Sequence, residues 1–137
     1  MRKLLHPIKR TSRRRQQPKH QDDYPELVRI IVEAILSKKG EHVVTLDLRE
    51  VPEAVTSFFV ICDCSSSTQV RALAQGVEEA VGRQLKEYPW HIEGMEHLRW
   101  VLLDYVTVVV HIFLTPVRRF YQLEELWSDG RLTEHSA

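Results

Sequence analysis

The sequence predicts an α/β (α+β) domain with a single mixed β-sheet and helices packed on one face. Three observations carry that prediction. Leu27, Ile30, Ile31, Ala34 and Ile35 recur at helical spacing. Phe58-Phe59-Val60-Ile61-Cys62 is apolar without alternation, the pattern of a central strand covered on both faces. A helical stretch then feeds back into strands, as in a crossover connection that imposes at least one parallel pairing.

The first helix is expected to begin near Asp22 or Asp23, with Pro25 in its first turn and Glu26 at the positive end of the dipole. Lys38-Lys39-Gly40 supplies cations and a stop at the other end. A strand follows over His42–Leu48, rich in β-branched residues, then a polar segment with Pro52, then the central strand. Ser65, Ser66, Ser67 and Thr68 offer caps for a second helix. Its apolar stripe is Val70, Leu73, Ala74, Val77, Val81 and Leu85, and its end is expected near Tyr88-Pro89.

Trp100–Leu114 reads as two strands joined at Asp104-Tyr105-Val106-Thr107. With Asp104 opposite Thr107, Leu103 faces Val108, Val101 faces Val110 and Arg99 faces Ile112, giving an aliphatic face for the helices. The other face is mixed: Leu98, Trp100, Leu102 and Asp104 beside Val109, His111 and Phe113, with Trp100 opposite His111. Aromatic residues rimmed by ionisable groups suit a partner-binding patch, and they equally suit a face that further chain covers. Patterning does not separate the two. Pro116–Trp127 reads as a last helix in which Phe120, Leu123 and Trp127 pack on the sheet. Arg118 and Arg119 are expected as a solvated pair or a partner contact.

Composition divides the chain. Of its 137 residues, 19 are Lys or Arg and 19 Asp or Glu, yet residues 1–21 hold eight of the basic residues and no acidic one. The remainder is net −8. A basic, apolar-poor arm cannot bury enough surface to offset its ordering entropy, so residues 1–21 are expected to be a disordered arm. Residues 22–129 form the folded domain, and 130–137 a short flexible tail. Arg13, Arg14 and Arg15 are the candidates for RNA contact, by charge alone. A solubilising leader or an organelle transit peptide remains open for the arm, placing the protein in the cytoplasm or an organelle matrix. No apolar run is long enough to cross a membrane. Cys62 and Cys64, one residue apart, are expected to serve as small apolar side chains.

Catalytic patterns are scarce. A Walker loop, a glycine-rich dinucleotide turn and a His-Glu-x-x-His pair are all missing. A nucleotidyltransferase would need paired carboxylates on a strand to hold two metal ions, and Asp104 stands alone at its strand end. The expectation is a non-enzyme without cofactor or metal. The alternatives are a metal-dependent nucleotidyltransferase-like enzyme and an RNA-binding adaptor that uses the arm.

Several motifs occur together in order: Val44-Thr45-Leu46-Asp47-Leu48, Ser66-Ser67-Thr68-Gln69-Val70, His91-Ile92-Glu93-Gly94, Trp100-Val101-Leu102-Leu103-Asp104-Tyr105, Val109-Val110-His111-Ile112-Phe113 and Arg119-Phe120-Tyr121-Gln122-Leu123-Glu124-Glu125-Leu126-Trp127. In this combination the chain resembles the ribosomal silencing factor, or Iojap, family over roughly residues 26–129. The resemblance implies a nucleotidyltransferase-like topology without catalytic carboxylates. It also implies binding of the large ribosomal subunit at ribosomal protein L-fourteen, which keeps the small subunit from joining and lowers translation when nutrients are limiting. The partner surface so implied contains Trp100, Asp104, Tyr105 and Phe113. His111 lies on the same mixed face, and Glu93 joins Asp104 as a carboxylate able to pair with a basic partner. A homodimer of the free protein is compatible with such a face. The hairpin departs from the family's usual Asp-x-Gly-Asp, since Val106 stands where glycine is common.

Overall fold

The computed structural model describes residues 24–137. Residues 1–23, with the basic arm and Arg13, Arg14 and Arg15, lie outside the described residues, and the first helix starts at Glu26 with Pro25 as its N-cap, later than the start expected near Asp22 or Asp23. The elements run α1 (Glu26–Ser37), β1 (Glu41–Asp47), β2 (Phe58–Cys64), α2 (Ser67–Leu85), β3 (His91–Glu93), β4 (Trp100–Asp104), β5 (Val108–Leu114), α3 (Thr115–Tyr121), α4 (Leu123–Leu126) and β6 (Arg131–His135). One mixed sheet has the order β3-β4-β5-β2-β1-β6. Among the described residues only the central β2–β5 pair is parallel.

The position of β2 explains its unbroken apolar run. Every one of its residues is buried, because β5 and β1 flank it and side chains cover both faces. Phe58, Val60, Cys62 and Cys64 join the layer beneath α1 and α2, while Phe59 and Ile61 point to the opposite face. The two long helices therefore share one face, as the stripes of Leu27 to Ile35 and Val70 to Val81 predict. Ser66 caps α2 by accepting the N–H of Gln69 at 3.1 Å, which satisfies one of the helix's free donors.

Three features differ from the sequence reading. The β4–β5 register is displaced by two residues: Trp100 lies opposite Phe113, Leu103 opposite Val110 and Asp104 opposite Val109. The hairpin closes instead at Tyr105, whose N–H bonds the carbonyl of Val108 at 2.8 Å, with Val106 at the tip in the left-handed region (φ 74). Second, the last helix is broken in two at Gln122 (φ 47), and Leu123 and Trp127 cross to the far face, whereas Phe120, expected to pack on the sheet, stands exposed. There Leu123 and Trp127 pack with Phe59, Leu102, Val109 and Phe113, a surface that the expected architecture leaves uncovered.

Third, the expected tail is a strand. Arg131–His135 pairs antiparallel with β1, His135 opposite Val43 and Arg131 opposite Asp47. The segment escapes hydrophobic patterning because an edge strand is held largely through its backbone; its side chains are mostly half-exposed. Thr45, buried on β1, ties the edge together through its hydroxyl, 3.0 Å from Tyr24 Oη and 3.1 Å from His135 Nε2.

Candidate functional site

The far face is built around Trp100. Strand alternation sends Trp100, Leu102 and Asp104 from β4, and Val109, His111 and Phe113 from β5, to the same side. The indole stacks on Phe113 with ring centroids 4.7 Å apart and planes at 30°, and its Nε1–H donates to Nδ1 of His111 at 3.1 Å. Tyr121, at the end of α3, lies against the same indole at 4.8 Å. Trp100 is thus held on three sides and half-exposed on the fourth.

His111 is fully buried, and burial pushes its pKa down to about 3. The imidazole is neutral, and because Nδ1 accepts from Trp100 the proton sits on Nε2. That Nε2 is buried without a hydrogen-bond partner, with the ring set edge-on to Phe59 at 4.7 Å. His111 and Phe113 have no exposed surface, which corrects their expected place on an open face. The broken C-terminal helix is the cause, since Trp127 meets Phe59 edge to face at 5.7 Å and closes that part of the sheet. Both residues support Trp100 from beneath.

Tyr105 is also corrected. It lies on the helix side, 6% exposed, with a buried hydroxyl that has no hydrogen-bond partner. Burial, followed by the charges of Glu78 and Glu87, pushes its ionisation well above the usual tyrosine range. Asp104 and Glu93 remain accessible. Asp104 accepts the N–H of Val106 at 2.8 Å, shaping the hairpin tip, and Glu93 lies 2.7 Å from Nε2 of His91 on β3. Gly94 brings that strand close to Trp100: at φ 92, a Cβ there would sit 2.0 Å from the Trp100 carbonyl oxygen.

The structure also assembles a polar network that the sequence reading missed. Arg118, expected at the surface, is buried. Its Nη1 donates to Asp63 Oδ2 at 3.0 Å and to the carbonyl of His42 at 2.6 Å, and its Nε and Nη2 donate to Glu124 Oε2 at 3.1 and 2.7 Å. Thr115 Oγ1 donates to Asp63 Oδ1 at 2.8 Å, and His42 Nδ1 lies 3.1 Å from both Asp63 oxygens. His42 adopts φ 51 at a bulge in β1, which turns its carbonyl toward the guanidinium. An open groove of about 560 Å³ runs past His42, Asp63, Thr115, Arg118, Glu124 and Glu134. The available signal was Asp63 itself, a carboxylate within an apolar central strand, which requires a buried cation.

Among the described residues, Glu41, His42 and Asp63 bring one donor atom each within 4.8 Å of one another. A cation there would have to share Asp63 with Arg118, already 3.0 Å away, so the network suits an ion pair better than a metal. Cys62 and Cys64 are buried, and burial raises both thiol pKa values, as expected for apolar fillers rather than nucleophiles.

Residues 21–137 match the family described as "Ribosomal silencing factor during starvation". The chain is 38% identical over 109 residues to ribosomal silencing factor RsfS of Halalkalibacterium halodurans, covering 80% of this chain and 92% of the relative. It is 34% identical over 111 residues to RsfS of Bacillus subtilis, covering 79% and 90%. A chloroplastic protein Iojap of Arabidopsis thaliana shares 32% over 80 residues, 58% of this chain and 32% of its own. A Bacillus halodurans crystal structure superposes with TM-score 0.69 at 36% identity, covering 80% of this chain and 98% of that one. A Chromobacterium violaceum structure gives 0.71 at 28%, covering 82% and 92%.

Proposed function

The chain belongs to the ribosomal silencing factor family, whose role is ribosome-associated silencing of translation, and we propose that it acts by binding the large subunit at ribosomal protein L-fourteen. Bound there, it occupies volume that the small subunit needs, so joining fails and translation falls under nutrient limitation. The mechanism requires occupancy and no bond-making.

The observation that carries this reading is the held indole of Trp100. An aromatic anchor clamped by Phe113, His111 and Tyr121 loses little rotamer freedom on docking, which favours affinity. Glu93 and Asp104 on the same face add carboxylates that suit a basic ribosomal protein. His111 and Phe113 act by positioning the indole; Tyr105 has no part in the contact. Arg13, Arg14 and Arg15 add affinity for ribosomal RNA through counterion release, an effect strongest at low salt.

Sedimentation of purified large and small subunits with the full chain tests the proposal. Co-migration with large subunits, with loss of joined ribosomes, is the expected result. Joining unaffected at saturating protein would overturn it.

A further inference from the structure

We propose that the end of α3, Phe120 with Tyr121, is a second docking element beside Trp100, and that it receives an arginine or lysine side chain of a large-subunit protein. The helix has an inverted polarity. Arg118 is its buried residue, while Phe120 is 80% exposed and Tyr121 42% exposed. In an ordinary surface helix the guanidinium would face water and the phenyl ring the core.

The inversion is imposed by named contacts. Burying a guanidinium carries a large desolvation penalty, offset here by two carboxylates and a carbonyl, from Asp63, Glu124 and His42. These bonds fix the rotation of α3 about its axis, and the left-handed Gln122 ends it one residue after Tyr121. Phe120 and Tyr121 are therefore presented from a pinned helix. Their rings meet edge to face at 5.1 Å and 88°, and Tyr121 meets Trp100 at 4.8 Å, so three aromatic side chains form an unbroken row outward from the sheet.

Ring faces of this kind attract cations. Charge favours a cationic partner over a nucleic acid: residues 24–137 hold 17 acidic and 11 basic residues. Around α3, Asp63 and Glu124 hold the buried Arg118, and Glu125 is exposed along with Arg119. Phosphates would be repelled by this surface, whereas a basic protein is attracted.

The inference rests on the large-subunit reading, and its test separates the two. Full-length Phe120→Leu, Phe120→Tyr and Trp100→Ala proteins are titrated onto purified large subunits by co-sedimentation, with thermal unfolding as the folding control. Phe120→Leu is expected to weaken binding about tenfold at an unchanged unfolding midpoint, and Phe120→Tyr to stay within about twofold, because a cation needs the ring and not only its apolar area. A photoreactive p-benzoylphenylalanine placed at position 120 is expected to cross-link to a ribosomal protein. Wild-type affinity in Phe120→Leu, or cross-links to RNA alone, would overturn the proposal. If Trp100→Ala abolishes binding while Phe120→Leu does not, the sheet face stands and the α3 element falls. If the wild type does not co-sediment, both fall.

Discussion

Trp100 and His111 are joined by one hydrogen bond, indole Nε1 to imidazole Nδ1 at 3.1 Å, and it sets the state of both rings. The bond fixes the imidazole tautomer and orients the indole plane against Phe113. The exposed edge of the candidate site is thus held by a histidine that never reaches solvent.

Trp100→Ala removes the proposed central anchor. Large-subunit binding is expected to fall by at least about 2 kcal/mol, roughly thirtyfold. The measurement is a co-sedimentation titration on protein shown by circular dichroism to be folded. Loss of the native spectrum would instead make Trp100 a core residue.

His111 gives a pH prediction with a definite sign. Its pKa is lowered from 6.5 to about 3 in the fold by burial. The unfolded chain therefore takes up a proton that the folded chain refuses. The stabilisation is fully present above about pH 6.5 and is lost as pH falls toward 3, at up to about 1.4 kcal/mol per pH unit. His135, also lowered by burial, acts in the same direction. Denaturant titrations between pH 7 and pH 4 are expected to show a shallower decline for His111→Gln than for wild type. Parallel curves would show that His111 does not control the acid limb.

Arg118→Ala leaves the Asp63 carboxylate buried without its guanidinium. Removing one member of such a pair is expected to cost about 3–5 kcal/mol. Arg118→Lys is expected to recover only part of this, since an ammonium cannot reach Asp63, Glu124 and the His42 carbonyl with one planar fork. Urea unfolding of the two variants checks both statements.

Val106→Gly is expected to stabilise the protein. A β-branched residue at φ 74 is strained, and glycine relieves the strain, for a gain of about 1 kcal/mol. Differential scanning calorimetry should show a midpoint roughly 3–6 °C higher. An unchanged or lower midpoint would mean that the bond from Val106 N–H to Asp104 already offsets the strain.

The hairpin shows what sequence reasoning could and could not reach. The sequence register was displaced by two residues, yet Trp100, Leu102, Val109, His111 and Phe113 kept their expected face, because side chains alternate with a period of two. The register itself depended on Val106 accepting a conformation that glycine usually takes, and nothing in the local pattern announces that. Tyr105 was legible: alternation already places it opposite Asp104, with Leu103 and the helices, and only the family resemblance drew it to the partner side. The burial of His111 and Phe113 was not legible, since it depends on Trp127 returning across the sheet from distant sequence. Arg118 was hidden for the same reason, its partner Asp63 lying 55 positions away.

The terminal strand has a bearing on how the protein can be handled and tagged. Residues 131–135 occupy hydrogen-bonding positions along β1 from Val43 to Asp47. Trimming the chain before Arg131 would leave that ladder vacant beside buried Val44 and Leu46, an adhesive border open to any extended peptide, including another trimmed molecule. Such a product is expected to cluster at high concentration even with the aromatic row at Trp100 intact. A label is better tolerated beyond Ala137 than in place of the last strand.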